Sequence, residues 1–350
     1  FTFQTEMMME FNPFNEGWQY RKNITIDHTK VTGDLTNYPM LIHLQDADLR
    51  DKTQTTGNDI LFMDGLGNAT RLFHETEHYD EVSGELIAWV NIPFLSSTTD
   101  TQIYIYYGNP LCDDQQFPIY VWDDNYKAIW HMTDELDSTA NNNHLTNYGA
   151  LPGYQGKIHT CYKFDGLDDH MTFPDLVGSG KPITYEIWGQ INGPNSANYY
   201  AQSFIVPYHE TREHLTFTNE GLNDIAPFSF YSDYHESSGA QFVDTGANSV
   251  NYGTLYHVVS QLDETGTATI YLNGQQKESK MGIGTISSLN LKNTIGSYVP
   301  KNGPMQCFLN GYIDEIRIST YARPSTWIST EYNNQNNPTS FYIIGPEETG

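Results

Sequence analysis

The sequence predicts an all-β protein: two β-sandwich (jelly-roll) domains behind an extended N-terminal strand. Three observations predict this fold class. Thr267, Thr269 and Tyr271 alternate with Ala268, Ile270 and Leu272 before Asn273-Gly274, the pattern of a strand entering a tight turn. Ile313, Glu315 and Arg317 alternate with Asp314, Ile316 and Ile318 after Asn310-Gly311, which assigns the two sets to opposite faces of an antiparallel strand with one wet face. Between residues 17 and 118, short strand-like runs recur with Gly, Asp, Asn and Pro in the turns, the spacing of a sandwich.

At 350 residues the chain exceeds the usual single core, so two domains are expected. Residues 1–16 form an extended arm in which Phe1, Phe3, Met7, Met9 and Phe11 share one side of a period-2 pattern. A lone strand cannot keep that side dry, so the arm must join a sheet, either its own or that of a second copy by strand donation. The first domain, 17–118, reads as strands over Trp18–Ile26, Met40–Leu44, Ile60–Met63, Thr70–Tyr79, Glu85–Ile92 and Thr101–Tyr107. The second domain, 119–350, carries the two alternating runs above. It also holds a short helix expected from Pro324 to Asn333, with Trp327, Ile328 and Tyr332 along one face, and a last strand at Phe341–Ile344.

The words WQYRKNITID, NDILFMDGLG, LIAWVNIP and IYIYYGNP resemble an uncharacterised domain that precedes laminin-G-like jelly rolls in archaeal and bacterial surface proteins. CYKFDGLDDHMTFP, ITYEIWGQI, LYHVVSQLDETGTATIYLNG, NTIGSY and GYIDEIRIS follow in the order of a concanavalin A-like (laminin-G-like) jelly roll. The resemblance implies a fold that displays surfaces more often than it catalyses. It also implies a structural calcium ion between a turn, here Asp137, Asn141 and Asn143, and the acidic residue of the IDEI-type strand, Asp314.

Composition narrows the partners. Lys+Arg 17 against Asp+Glu 43 gives a formal charge of -26, a field that repels nucleic acid and anionic membranes and attracts divalent cations. No run of eighteen apolar residues predicts a transmembrane segment. A start at Phe1, without a basic and apolar leader, leads to the expectation of an exported, extracellular chain whose signal has been removed. The sequons at Asn23 and Asn68 agree with surface glycosylation. Three cysteines are too few for a disulfide framework, and Cys161 with Cys307 is the expected pair for a single bridge.

Two catalytic signatures fail on periodicity. His74-Glu75-Thr76-Glu77-His78 matches HExxH, but zinc chemistry needs it on a helix. On a strand the two histidines stand about 13 Å apart. Laminarinase-type hydrolysis needs two carboxylates flanking one bond, and strict alternation puts Asp314 and Glu315 on opposite faces. The Asp168-Asp169 pair reads as a solvated turn. Sugar binding needs flat rings with amide neighbours, and Tyr199, Tyr200, Tyr231, Tyr234 and Tyr252 in the variable region supply the residue types. The sequence therefore predicts a non-catalytic surface protein. Its expected roles are structural assembly through the arm, adhesion or both, with calcium-dependent glycan recognition as the alternative and glycoside hydrolysis as a distant one.

Overall fold

The computed structural model describes residues 11–350 apart from 67–69, 177–181, 196–200, 207–212, 219–224, 237–238, 284–292 and 301–302. The strands in chain order are β1 (Tyr20–Ile26), β2 (Leu35–Gln45), β3 (Leu61–Met63), β4 (Arg71–Leu72), β5 (His74–Asp80), β6 (Glu85–Leu95) and β7 (Thr101–Tyr107). There follow β8 (Tyr126–Trp130), β9 (Thr146–Tyr148), β10 (Leu151–Gln155), β11 (Thr160–Asp165), β12 (His170–Phe173), β13 (Ile183–Ile191), β14 (Ala201–Val206), β15 (Glu213–Thr218) and β16 (Ser229–Glu236). The last are β17 (Gly239–Asp244), β18 (Leu255–Leu262), β19 (Ala268–Leu272), β20 (Gln275–Lys280), β21 (Asn293–Ile295), β22 (Asn310–Ser319) and β23 (Tyr342–Thr349). Two short helices accompany them, α1 (Ala47–Lys52) and α2 (Ser325–Asn336). The protein is all-β, as the alternation predicts.

The chain divides into two compact units, Phe1–Val121 with Asn337–Gly350, and Trp122–Asn336. The expected boundary at 118/119 falls close to the observed one. The tail differs: β23, expected in the second domain, pairs antiparallel with β1 of the first unit from Tyr20↔Thr349 to Ile26↔Tyr342. The second unit is therefore an insertion in the first.

In the first unit a five-stranded sheet, β23-β1-β7-β3-β4, accompanies a three-stranded sheet, β2-β6-β5. Period-2 burial follows from the sequence: on β1, Lys22, Ile24 and Ile26 are buried while Arg21, Asn23 and Thr25 are only partly so. Leu61, Met63, Tyr104 and Tyr106 form a separate apolar cluster with Trp18. Asp46 caps α1 by accepting from the N–H groups of Asp48 and Leu49, a stop-and-start signal that the strand reading passed over.

The second unit stacks an eight-stranded sheet, β10-β11-β22-β13-β18-β19-β20 with β8 on β22, against a seven-stranded one, β17-β16-β15-β14-β21-β12-β9. One core joins them, with Tyr162, Phe164, Ile187, Ile191 and Ile313 from the first sheet meeting Met171, Phe204, Phe217, Phe230 and Ile295 from the second. The β19–β20 connection is the expected Asn-Gly turn: Asn273 has φ 51 and Gly274 φ 73, the left-handed pair that a two-residue hairpin needs. No side chain fits at Gly274 either, because a Cβ there would lie 2.8 Å from that of Tyr332.

Strand β22 corrects the sequence reading. Strict alternation groups Ile313 with Glu315 and Arg317, but the structure puts Ile313, Ile316 and Ile318 together in the core. Glu315 sits at φ 47, and the β13–β22 register slips between Glu186/Arg317 and Trp188/Asp314. This single extra residue is a β-bulge, and it reverses the faces beyond it. Asp314, Glu315 and Arg317 thus all leave the core, so the argument that alternation parts Asp314 from Glu315 does not hold.

Candidate functional site

The outer face of the eight-stranded sheet carries most of the polar chemistry. Towards α2 it is closed. Strand β13 contributes Glu186 and Trp188, β18 contributes His257, and β22 contributes Glu315 and Arg317, all buried. Helix α2 covers them, starting one residue later and ending three residues later than the expected span, with Trp327, Ile328, Glu331 and Gln335 buried. The Arg317 guanidinium donates to Glu331 and to Glu315 Oε2 at 3.0 Å, and lies 3.6 Å from Glu186 Oε1. His257 Nε2 meets Glu186 Oε1 at 3.0 Å, and His131 Nδ1 meets Glu315 Oε1 at 2.8 Å. Trp122 lies against the guanidinium, 5.1 Å from its ring centroid.

This layer explains the carboxylates without catalysis. Burial alone raises the pKa of Glu186, but Arg317 and His257 outweigh it and hold the group at about 2. Glu331 goes the other way, raised well above its ordinary value by burial and by Glu186. One cation shared among three acids leaves the last of them favouring its proton.

Asp314 stands apart. Its Oδ2 accepts from the backbone N–H groups of Lys157 at 2.6 Å and Ile158 at 3.2 Å, and burial followed by the Glu315 charge pushes its pKa up to about 8. The turn comes this near because residue 156 is glycine: a Cβ there would lie 2.5 Å from Asp314 Oδ2. The expected calcium partners lie in a different hydrogen-bonded turn. Asp137 Oδ1 accepts from Ile129 N and Thr139 N, and Oδ2 from Thr139 Oγ1 and Asn143 N. Asn141 and Asn143 donate their amides to the Lys127 carbonyl. The structure thus brings Asp137, Asn141 and Asn143 together and gives Asp314 other partners.

Beyond the covered layer the same sheet opens. A pocket of about 250 Å³ is lined by Tyr154, Gln155, Cys161, Gln190, Leu255 and Tyr312. Gln190 and Tyr312 alternate with core residues Ile191 and Ile313, which sets them on the outer face. The two tyrosine rings lie 5.5 Å apart at 52°, and Lys163 Nζ stands 5.4 Å from the Tyr154 ring. This platform joins residues more than 150 positions apart, so no local pattern in the sequence announces it.

Several expected residues are elsewhere. Tyr231 and Tyr234 are 5% and 1% exposed, and the Tyr234 hydroxyl meets Ser260 Oγ at 2.9 Å, so neither offers a face to a ligand in solution. Tyr252 is 36% exposed but packs against Phe217 and Phe228. Tyr199 and Tyr200 lie outside the described residues, as do Asn68 and Phe1, Phe3, Met7 and Met9 of the arm. Phe11 is partly exposed, its ring edge-on to Trp18 at 6.3 Å. Asn23 is half-buried on β1, between β7 and β23, and accepts from Thr25 Oγ1.

The expected Cys161–Cys307 bridge is absent, and none of Cys112, Cys161 and Cys307 is in a disulfide. The fold forbids it: Cys161 faces the pocket outside one sheet, whereas Cys307 packs with Ala201, Val206 and Tyr298 beside the other. Burial raises the Cys161 thiol to about 12. The HExxH segment is strand β5, as its context predicts, and a bulge between Thr76 and His78 interrupts the run. His74 is fully buried against Phe62, and burial, then Arg71, lower it to about 3, so it stays neutral. Asp169 is buried and accepts from Asp165 N, while Asp168 is exposed, so only Asp168 fits the solvated-turn reading.

Residues 164–329 match the model of the concanavalin A-like lectin/glucanases superfamily, and residues 56–127 match that of a domain of unknown function, DUF2341. No curated protein matches the chain. Among solved structures it is similar to domain 4 of a GH43 extracellular arabinanase from Geobacillus stearothermophilus in complex with arabinotriose. The identity is 19% over 60% of this chain and 98% of that one, with a TM-score of 0.46. It is also similar to the binding domain of Paraclostridial Mosquitocidal Protein 1, at 14% identity over 60% of this chain and 52% of that one, TM-score 0.47. A third is the ligand binding domain of botulinum neurotoxin serotype D in complex with N-acetylneuraminic acid, at 12% identity over 61% and 51%, TM-score 0.47. The chain spans about half the length of both toxin structures. Among the described residues no helix is long and apolar enough to cross a membrane. The chain therefore carries a concanavalin A-like, laminin-G-like domain preceded by a DUF2341 domain.

Proposed function

We propose that the second unit binds neutral polysaccharide without cleaving it, through the open pocket of Tyr154 and Tyr312, and that the protein acts in adhesion outside the cell. The observation that carries this reading is the pairing of two ring faces with the side-chain amides of Gln155 and Gln190 in one solvent-open pocket. Rings cover the apolar face of a pyranose or furanose, and amides bond its hydroxyls. A formal charge of -26 disfavours acidic glycans. Hydrolysis needs two carboxylates at the scissile bond, and among the described residues no Asp or Glu lines the pocket.

The test is electrophoresis of the whole protein through gels containing laminarin, xylan, arabinan or mannan, with and without calcium. At least one polysaccharide should retard the wild type without releasing reducing ends. Tyr154→Ala and Tyr312→Ala should each weaken retardation about tenfold, an effect of roughly 1.4 kcal/mol. Unretarded migration in all four gels would defeat the reading, and release of reducing ends would replace it with an enzyme.

A second reading, assembly of copies through Phe1–Phe11, rests on the period-2 apolar pattern of that segment and on β23. Among the described residues this strand is the edge of its sheet, and Ile343 is 72% exposed. Deleting residues 1–11 should abolish concentration-dependent polymerisation in light scattering. Polymerisation unchanged by the deletion would remove it.

A further inference from the structure

The other sheet of the second unit holds a second aromatic pocket, of about 450 Å³, lined by Tyr148, His170, Thr172, Phe173, Asn293 and Met305. It sits where β9, the edge strand, pairs with β12. Tyr148 and His170 are direct cross-strand partners, and their rings lie parallel, with centroids 4.7 Å apart and planes 6° apart. The stack fixes the orientation of a tyrosine that is still 50% exposed, so a flat apolar face is held ready towards solvent. His170 Nδ1 lies 2.9 Å from the Asp168 carbonyl, an acceptor only, so Nδ1 carries the proton and donates. The remaining nitrogen, Nε2, is then an acceptor in the neutral ring. The described lining adds the Thr172 hydroxyl and Met305, with Phe173 and Asn293 at the strand ends, where the Asn293 amide donates to the Phe173 carbonyl. Among the described residues no Asp, Glu, Lys or Arg lines the pocket. A fixed ring face, an imidazole acceptor and one hydroxyl without charged neighbours among the described lining residues are the chemistry of a neutral sugar, and the volume falls in the range of small-ligand sites, about 300–1,000 Å³.

The two pockets point away from each other. His170 and Thr172 alternate with the core residues Met171 and Phe173, so their side chains leave the outer face of the seven-stranded sheet. Gln190 and Tyr312 leave the outer face of the eight-stranded sheet, with the whole core between.

We propose that the Tyr148–His170 pocket is a second, independent neutral-sugar site, and that one chain thereby bridges two separate polysaccharide strands. The bridging rests on the glycan reading of the Tyr154–Tyr312 pocket. The second pocket stands on its own residues. Two sites on opposed faces cannot share one short oligosaccharide, yet each raises the effective concentration of the other's strand at a polysaccharide surface.

The experiment uses the whole protein and beads coated with laminarin, xylan, arabinan or mannan, reading protein retained and bead agglutination separately. On the polysaccharide that binds, the wild type should agglutinate beads. Tyr148→Ala should stay bound through the other pocket but lose agglutination by about tenfold or more, whereas Tyr148→Phe, which keeps the ring, should retain it. Tyr312→Ala should behave as Tyr148→Ala does, and the double variant should not bind. Equal melting curves for wild type and Tyr148→Ala establish that the variant is folded. A wild type that binds without agglutinating, or agglutination unchanged in Tyr148→Ala, overturns the second site and leaves the first reading standing. Wild type retained on none of the four coatings overturns both.

Discussion

In the first unit the buried Asp59 carboxylate accepts from the backbone N–H groups of Gln54, Gly108 and Asn109, whereas in the second Glu186, Glu315 and Glu331 gather round the Arg317 guanidinium. Both solutions bring acids out of water, but they fail differently. A backbone-held acid can be replaced at the cost of a few local hydrogen bonds. Removing the ion shared among three carboxylates strips a buried partner from each and leaves Glu186 and Glu315 only their contacts with His257 and His131.

The largest expected effect follows directly. Arg317→Ala should lower the stability of the second unit by about 3–5 kcal/mol, read as an earlier denaturant transition for that unit. A loss under about 1 kcal/mol would mean that water reaches the layer and that the two units do not differ in this respect.

Next is a dependence on pH. Asp314 keeps its proton up to about 8 when folded, against an ordinary carboxylate value of 3.8 when unfolded. The folded state then binds more protons at this group between those values, so the stability that Asp314 contributes is greatest below about pH 4 and is lost as pH rises towards 8. The slope contributed is at most about 1.4 kcal/mol per pH unit. Asp314→Asn should flatten thermal midpoints measured from pH 5 to 8, and an unchanged slope would assign the loss to Glu331 and its neighbours instead.

Asp59→Ala should cost the first unit about 1–3 kcal/mol in denaturant unfolding, since three backbone donors lose their acceptor. If it cost as much as Arg317→Ala, the contrast would dissolve. The smallest effect belongs to Arg21, whose partner Glu348 is largely solvent-exposed. Arg21→Ala should change stability by less than about 1 kcal/mol, and less still at high salt.

What the sequence revealed follows the same division between local and shared structure. Strands such as Tyr20–Ile26 and the Asn273-Gly274 turn are legible because burial repeats every second residue and the turn needs left-handed φ at adjacent positions. The Glu315 bulge is not, because one extra residue in a strand leaves the composition unchanged and shows only against its partner β13. The same limit governs the sites. Tyr231 and Tyr234 have the residue type for stacking, but burial removes their faces from solvent. Tyr154 pairs with Tyr312, and Tyr148 with His170, only through strand register. The expected cysteine pair failed for this reason too: sequence gives two thiols, and topology decides which sheet each serves.

The return of Asn337–Gly350 to the first unit has a practical corollary. A protease that nicks the chain once, near Val121, frees nothing, because β23 still tethers the inserted body by its other end. Release takes two cuts, one on each side of Trp122–Asn336.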